Sequence, residues 1–379
     1  MKAMILNAIT DLKSNAAPLI PGILPDPVPG RNEVLIRVST CGVCHTELDE
    51  IEGRTPPARF PMVLGHQVIG RIEAMGSGIT KHHSGDRVGV AWIHSTCGTC
   101  QYCREGNENL CPGFKATGRD VFGGYAELMT VPEDYAFPIP EVFTDEEAAP
   151  LLCAGAIGYR SIRLTGLLGL GTGSRIPDPG YRCFTRFAVT MMPDNSLNRK
   201  SDIVNHTLHL GLTGFGASAH LLLKMVRYLW PEMHVFVFAR NKSEQEFALE
   251  LGAVWAGDTT DTPQEKLDAI IDTTPVWKPV VEAMKHLKPG GRLVINAIRK
   301  EEIDKECLLD LNYPEHLWME KEIKSVANVT AADVREFLKL AAEIPIKPEV
   351  QVFPLEDANK ALQELKQQKI RGAKVIRIT

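Results

Sequence analysis

Four closely spaced cysteines constrain this chain more than any other feature of its sequence. Cys97, Cys100, Cys103 and Cys111 lie in the fifteen-residue run CGTCQYCREGNENLC. Four thiolates at the corners of a tetrahedron make a closed site for Zn²⁺, which leaves no position for a substrate. Cysteine runs with two-residue gaps also hold iron–sulfur clusters, so that alternative stays open. The spacing therefore predicts a metal-bound lobe, with structural zinc as the main interpretation.

The composition argues against several classes of protein. The 379 residues suffice for two or three domains, and the net charge of −5 gives no global electrostatic reason to bind nucleic acid or an anionic membrane. No uninterrupted apolar stretch reaches about 18 residues, and the start of the chain is too short and polar for a signal peptide. We therefore expect a cytoplasmic protein with reduced thiols and with no nucleic-acid or membrane partner.

The hydrophobic pattern changes along the chain. From residue 1 to about 150, short β-type runs such as VLIRVS and VIGRIEAM alternate with Gly and Pro clusters, which predicts a small β-barrel or sandwich. After about residue 210, strands and helices alternate from LHLGLTG onwards, which is typical of a parallel sheet covered by helices. From about residue 331, two helices and the strand AKVIRIT are expected to pack back on the first domain.

A second set of metal-ligating residue types is dispersed along the chain. Cys44 lies in CGVCHTELDEIEG, His66 in PMVLGHQVIG and Cys153 in APLLCAGAIGY. Two thiolates and a neutral imidazole would bind Zn²⁺ with one position open, the pattern of a catalytic metal. Spacing alone does not bring them together, and each has a structural alternative, either a buried apolar cysteine or a hydrogen-bonded histidine.

A glycine-rich run predicts a nucleotide site. The run GFGASA, residues 214–219, fits G-x-G-x-x-A between an apolar strand and a helix. Glycines permit the tight turn and the close approach of pyrophosphate to the helix N-terminus. We therefore assign Gly214, Gly216, Ala217 and Ala219 to cofactor binding. A second run, GLGTGS, is rejected because two prolines follow where a helix should continue.

The end of the predicted strand HVFVFAR, which follows the glycine-rich run, bears on the choice of cofactor. An acidic residue normally holds the adenosine ribose hydroxyls there, but this chain has Ala239, Arg240 and Asn241. An arginine without the acid favours the 2′-phosphate of NADP over NAD. The alternative is an ordinary surface arginine, so NADP is slightly favoured and NAD stays open.

Several segments of the chain occur in this order: GVCHTEL, GHQVIGRIEAMGSG, GDRVGV, the four-cysteine lobe and PLLCAGAIGYR. Through these segments, the chain resembles the zinc-dependent medium-chain alcohol dehydrogenases. The resemblance implies an α/β plus β fold. It comprises a GroES-like β-barrel catalytic domain at residues 1–153 with the zinc lobe, and a Rossmann doubly wound parallel-sheet cofactor domain at residues 154–330. Residues 331–379 then return to the catalytic domain. Residues 168–209 fall outside the resemblance.

The resemblance also implies roles for individual residues. It implies two Zn²⁺ ions per subunit, a structural ion at the four-cysteine lobe and a catalytic ion. Thr46 would take the substrate's hydroxyl proton, and His45 would help to position the pyrophosphate. Trp92 resembles a position that lines the substrate pocket, although an aromatic residue at a strand is often core. The dispersed set supplies the catalytic zinc ligands, namely Cys44, His66 and Cys153.

Two positions depart from the family pattern. Gln67 replaces the usual Glu after the ligand histidine, which removes a negative charge near the metal. Asp49 stands where the family often has a histidine at the outer end of a proton relay, so the relay would run from Thr46 through the cofactor ribose to solvent or to Asp49. The alternative for Asp49 is a solvated acid beside Glu47 and Glu50.

The function implied is that of an alcohol dehydrogenase or aldehyde reductase. Hydride would pass between a small-molecule alcohol or aldehyde and a nicotinamide cofactor, and we expect a homo-oligomer, either a dimer or a tetramer. Two alternatives stay open: a member that binds cofactor without turnover, and a non-enzymatic zinc-binding protein, against which the net charge and the nucleotide loop argue. Residues 168–209 are interpreted as an atypical insertion, and three cysteines receive no role: Cys41, Cys183 and Cys307.

Overall fold

The computed structural model describes residues 1–167, 207–344, 346–367 and 372–379. Most of the atypical insertion lies outside the described residues, together with Cys183 and the GLGTGS run. Among the helices of the described residues, none has the length and apolar character needed to cross a bilayer.

The first part of the chain is built mainly of antiparallel strands. Its strands are β1 (Lys2–Leu6), β2 (Leu19–Ile23), β3 (Glu33–Val43), β4 (Met62–Val63), β5 (Val68–Met75), β6 (Arg87–Val90), β7 (Ile93–Ser95), β8 (Lys115–Ala116), β9 (Leu128–Pro132) and β10 (Phe137–Pro138). Strand β3 is central because it pairs with both β5 and β9. Val34, Ile36 and Val38 alternate along β3 and are fully buried, while Arg37 points outward and pairs with Glu73. This period of two drives barrel formation by placing one face in the core.

The second part contains a six-stranded parallel sheet. Its strands are β11 (His209–Thr213), β12 (His234–Phe238), β13 (Trp255–Gly257), β14 (Leu267–Asp272), β15 (Leu287–Ile295) and β16 (Glu322–Ser325). The spatial order is β13-β12-β11-β14-β15-β16, and every neighbouring pair is parallel. This order reverses between β11 and β14, where open α/β sheets leave a crevice for ligands. The predicted helix-covered parallel sheet is therefore confirmed.

The end of the chain returns to the first sheet. Strand β17 (Val350–Pro354) pairs in parallel with β18 (Ala373–Arg377), and β18 pairs antiparallel with β3. The larger sheet of the first part therefore has the order β10-β6-β5-β3-β18-β17, with β9 also on β3.

Helices occur in both parts of the chain. They are α1 (His45–Ile51), α2 (Gln101–Arg104), α3 (Asp145–Ala148), α4 (Ala154–Leu164), α5 (Ala217–Leu229), α6 (Lys242–Glu250), α7 (Lys278–Met284), α8 (Ala331–Glu343) and α9 (Ala358–Lys366). Helix α4 packs against α5 and α8, and its apolar face joins one hydrophobic core that extends into both parts. This shared core places the end of the barrel next to the crevice of the parallel sheet.

Candidate active site

Helix α1 organises the site because it begins directly after a predicted ligand. Its N-cap is Cys44, whose backbone N–H donates to Glu47 Oε2 at 2.7 Å. The other oxygen of that carboxylate, Oε1, lies 2.6 Å from His66 Nδ1. Both the carboxylate and the imidazole are almost completely buried. Glu47 therefore ties the start of the helix to the orientation of the imidazole ring, as a carboxylate behind a metal-bound histidine commonly does.

Three dispersed residues meet at this point. Cys44 Sγ lies 3.9 Å from Cys153 Sγ, and the donor atoms of Cys44, His66 and Cys153 lie within 4.8 Å of one another. His66 Nε2 is buried without a hydrogen-bond partner, which is costly unless something binds it. Two sulfurs and one unpaired imidazole nitrogen are a donor set that fits Zn²⁺ with one position left open.

The charges of these side chains also suit a cation. The Cys153 thiol donates a hydrogen bond to Cys44 and lowers the pKa of Cys44 well below its ordinary value; burial opposes this effect and His66 supports it. The same hydrogen bond, together with burial, raises the pKa of Cys153. Burial works to lower the pKa of His66, but the Glu47 carboxylate and the Cys44 sulfur raise it well above its ordinary value. A metal ion would displace the shared protons, because only deprotonated thiols and neutral imidazole bind it.

We expect Glu47→Gln to weaken zinc binding at this site by about ten- to a hundredfold, the usual effect of losing an outer carboxylate. The amide keeps the size of the side chain but removes the charge that orients the His66 ring. The measurement is competition for zinc between the metal-depleted protein and a coloured chelator. Glu50→Gln is a matched control, because Glu50 is a fully buried acid of the same helix without a bond to a donor residue. Equal affinities for the Glu47 variant and the parent would contradict this role of Glu47.

The four-cysteine lobe forms a second cluster of donors. The sulfurs of Cys97, Cys100, Cys103 and Cys111 all lie within 4.8 Å of one another. Backbone amides, first that of Thr99 and then that of Cys100, donate to Cys97 and lower its pKa to about 6. The pKa of Cys100 is raised to about 11, since burial and shared hydrogen bonds with its neighbouring thiols outweigh the opposing amide of Cys103. Four sulfurs with amide donors around them fit a closed tetrahedral metal site.

A cavity of about 1300 Å³ lies between the two parts of the chain. From the barrel side it is lined by the three dispersed ligands and by His45, Thr46 and Trp92. From the side of the parallel sheet it is lined by Ser218, Thr273 and Asn296. Trp92 lies beside Phe114, with ring centroids 5.4 Å apart and ring planes tilted by 46°, so its indole forms part of an apolar wall. The cavity therefore brings the predicted metal ligands and the predicted nucleotide loop to one space.

The acidic residues of α1 differ from the sequence-based alternative. Asp49 is buried, as are Glu47 and Glu50, so the interpretation of Asp49 as a solvated acid is wrong. Asp49 Oδ1 accepts hydrogen bonds from Arg54 Nε at 2.6 Å and from Arg299 Nε at 2.8 Å. Neither carboxylate oxygen of Glu50 has a partner, and burial followed by the nearby Glu47 charge raises its pKa well above the ordinary value.

The nucleotide loop has the conformation that its glycines allow. Gly214 has φ of 76°, and a Cβ there would lie 2.9 Å from Thr273 Oγ1. Gly216 is the N-cap of α5, and a Cβ there would have no atom within 4 Å. Ala217 opens the helix and Ala219 is fully buried against the sheet. The turn, the open space over Gly216 and the free helix N-terminus fit a bound pyrophosphate.

Two family profiles match the chain, the alcohol dehydrogenase GroES-like domain over residues 30–141 and the zinc-binding dehydrogenase over residues 239–376. A probable alcohol dehydrogenase AdhA of Mycobacterium tuberculosis is 39% identical over 357 residues, which cover 93% of this chain and 90% of that protein. This chain belongs to the zinc-type medium-chain alcohol dehydrogenase family. The solved structure of a cinnamyl alcohol dehydrogenase from Sorghum bicolor has a TM-score of 0.75 at 26% identity and covers 99% of this chain and 97% of that one.

These matches confirm the resemblance, the GroES-like and Rossmann fold, and the activity. The protein is a zinc-type, NAD(P)-dependent alcohol dehydrogenase or aldehyde reductase that acts on small-molecule alcohols or aldehydes. The non-enzymatic alternative is thereby set aside.

Several residues of this dehydrogenase's site were missed by sequence reasoning. Glu47 had a signal, because an acid three residues after an N-cap is the pattern of a capping box. Arg299 and Asn296 follow β15 and reach the cavity only because the parallel sheet faces the barrel.

Arg240, which was predicted, lies exposed after β12, on the surface rather than in the described cavity wall.

Proposed function

We propose that this dehydrogenase holds two zinc ions per chain. The proposed catalytic ion binds Cys44, His66 and Cys153, and the structural ion binds the four cysteines of the lobe. The observation that carries the first assignment is the buried, unpaired His66 Nε2 beside two thiols. The second is supported by four sulfurs within 4.8 Å of one another.

When bound, the zinc ion polarises the oxygen of an alcohol or carbonyl, and the nicotinamide exchanges a hydride with the adjacent carbon. The chain's own residues position the reactants and move the proton. Thr46 Oγ1 lies 3.7 Å from Cys44 Sγ on the cavity wall. We assign it the inner hydroxyl, which in oxidation would accept the alcohol proton while it passes its own proton outward, and in reduction would relay protons in the reverse direction. Asp49 lines the same cavity and is the proposed outer end of this path.

The cofactor contacts are proposed on both sides of the cavity. Gly214, Gly216 and Ala217 would receive the pyrophosphate at the N-terminus of α5, and the buried Ala219 would support this site by letting the helix pack closely behind it. His45 would approach the pyrophosphate from the barrel side, since it lines the same cavity. The apolar surface around Trp92 would keep water from the reacting carbon.

The test of the function is metal analysis combined with cofactor absorbance over a panel of alcohols and aldehydes. We expect about two zinc atoms per chain and turnover that is lost after metal removal and restored by zinc. Tight cofactor binding and two zinc atoms without turnover of any substrate would support the catalytically degenerate alternative instead.

For the cofactor, we propose a preference for NADP over NAD. Arg240 is exposed directly after β12, and Asn241 caps α6 by accepting from the Ser243 N–H at 3.0 Å, so neither side chain provides an acid for ribose hydroxyls. We expect Arg240→Ala to raise KM for NADPH about tenfold or more, because a charge-assisted phosphate contact is worth about 1.5–3 kcal/mol. KM for NADH should change little. Arg71→Ala, on the barrel surface, is the control, and a large NADH advantage in the parent would contradict the preference.

We also propose that the chain forms a homodimer through β16, the outermost strand of the parallel sheet. Exposed apolar side chains flank this edge, among them Trp318, Met319 and Ile323. An antiparallel pairing about a twofold axis at Ile323 would place Glu322 opposite Lys324 of a second copy, which matches opposite charges. Sedimentation at the mass of a single 41.8 kDa chain would contradict this proposal.

A cytoplasmic location also stays a prediction, supported by thiol clusters that need reducing conditions.

A further inference from the structure

A buried ion pair crosses the cavity between the two parts of the chain. Asp49 belongs to α1, the helix that starts at Cys44, while Arg299 belongs to the segment after β15 of the parallel sheet. Arg299 Nε donates to Asp49 Oδ1 at 2.8 Å. The aspartate side chain is 5% exposed and the arginine side chain 22% exposed, so water screens the pair only partly. The contact therefore links the metal side of the cavity directly to the nucleotide side.

The segment that carries Arg299 is itself fixed to the nucleotide side. The next residue, Lys300, is almost completely buried and pairs with Asp272 at the end of β14. Its ammonium group also donates to Thr274 O at 2.8 Å and to Val276 O at 2.9 Å. Glu301 N–H donates to Pro275 O at 2.6 Å. Residues 296–301 and the loop 272–276 therefore form one hydrogen-bonded unit.

This unit reaches the cavity and the nucleotide loop. Thr273 and Pro275 line the cavity, and Thr273 Oγ1 donates to Thr213 O at 2.9 Å, directly before Gly214. A displacement of Arg299 would therefore shift the residues around the proposed cofactor position. On the other side, α1 carries Cys44 at its start and Thr46 in its first turn.

The Asp49 carboxylate has a hydrogen-bond partner on the metal side of the cavity even without Arg299. Arg54 Nε donates to the same oxygen at 2.6 Å, and Arg54 N–H donates to Asp49 O at 2.9 Å. Arg54 lies in the same part of the chain as Asp49, so it stabilises the carboxylate whether or not the other part is near. Arg299 is therefore dispensable for the burial of this charge, and its contribution is the link between the two parts.

We propose that Arg299 is a positioning residue for hydride transfer, which holds the nucleotide side against the metal helix by its ion pair with Asp49. The proposal rests on the proposed function. Hydride transfer needs the two carbons at close contact, and misplacement by about 1 Å can cost about a hundredfold in rate. An ion pair that joins the metal helix directly to the nucleotide side is well placed to set this distance.

The kinetic test replaces Arg299 by leucine and by lysine. We expect Arg299→Leu to lower kcat about ten- to a hundredfold while the Kd of NADPH for the enzyme changes less than about threefold. Arg299→Lys should recover part of the rate, because it keeps the charge. Arg37→Leu is the matched control, since its ion pair with Glu73 lies within the barrel sheet and away from the cavity.

Two further results separate positioning from a role in proton transfer. In Arg299→Leu the Asp49 carboxylate keeps Arg54 as its partner at 2.6 Å, so the pH profile of kcat should keep its shape. In an Asp49→Asn background, Arg299→Leu should cause no further loss of kcat, because the link is already broken. A parent-like kcat in Arg299→Leu, a shifted pH profile, or independent effects of the two substitutions would each overturn the proposal.

A measurement on the cofactor-free protein separates failure of the proposal from failure of the proposed function. Amide hydrogen exchange in α1 and in residues 296–301 should be several-fold faster in Arg299→Leu than in the parent, and unchanged in Arg37→Leu. Unchanged exchange in Arg299→Leu would overturn the link itself. Faster exchange in Arg299→Leu, combined with a parent protein that turns over no substrate, would support the link and reject the proposed function.

Discussion

Replacing Cys44 by serine is expected to lower kcat for alcohol oxidation by about a thousandfold or more. The variant loses a sulfur of the three-donor set while His66 Nε2 stays buried beside it. Polarisation of the substrate oxygen by a metal is worth several kcal/mol, and about 4 kcal/mol corresponds to about a thousandfold in rate. Assays of NADPH formation, zinc content and far-ultraviolet circular dichroism are the measurements.

The expected zinc content of the Cys44→Ser protein is about one atom per chain, with the secondary structure of the parent. Cys307→Ser is the matched control, because this free cysteine lies outside both donor clusters. Near-normal turnover of Cys44→Ser, or of a parent stripped of the ion at this site, would reject the catalytic assignment.

Replacing Cys103 by serine is expected to destabilise the protein while leaving the proposed catalytic ion in place. Cys103 Sγ lies 3.5 Å from Cys100 Sγ and 3.9 Å from Cys97 Sγ, so its loss opens the four-sulfur cluster. The helix of the lobe contributes little apolar packing of its own, since α2 spans four residues and has no buried residue. Loss of a structural metal is among the few changes that cost more than about 4 kcal/mol.

In a chain of this size a loss of about 4 kcal/mol corresponds to a fall in Tm of roughly 5 °C. Differential scanning calorimetry of Cys103→Ser, with Cys307→Ser as the control, measures it. Folded Cys103→Ser protein at low temperature should retain one zinc atom and measurable turnover. A Tm equal to that of the parent would show that the lobe does not depend on a metal.

Local patterns predicted much of the fold because short-range periodicity determines which face of an element is buried. The helix predicted after the glycine-rich run is α5, ASAHLLLKMVRYL, and the first helix predicted from about residue 331 is α8, AADVREFLKLAAE. Strands β13 and β16 were not predicted. They span three and four residues, and β16 is the polar run EIKS, so neither shows an alternation that a strand of the core would require.

The features of the candidate site also fall into two groups, those that the local sequence determines and those that only folding brings together. The sequence by itself determined the four-cysteine lobe, because its ligands lie within fifteen residues and short turns suffice to bring the sulfurs together. It also determined the turn at Gly214 and Gly216, whose requirement is local backbone freedom.

Only the tertiary structure decided which distant groups meet. Cys44, His66 and Cys153 come together because the end of β3, the loop after β4 and the start of α4 converge beside the cavity. The acids of α1 look alike in sequence, yet Glu47 holds the histidine, Glu50 is buried without a partner and Asp49 pairs with Arg299 from the other part of the chain. Burial and partner are properties of the packed chain, because the partners lie elsewhere in the sequence, 19 positions away for Glu47 and His66 and 250 for Asp49 and Arg299, and no local pattern contains them.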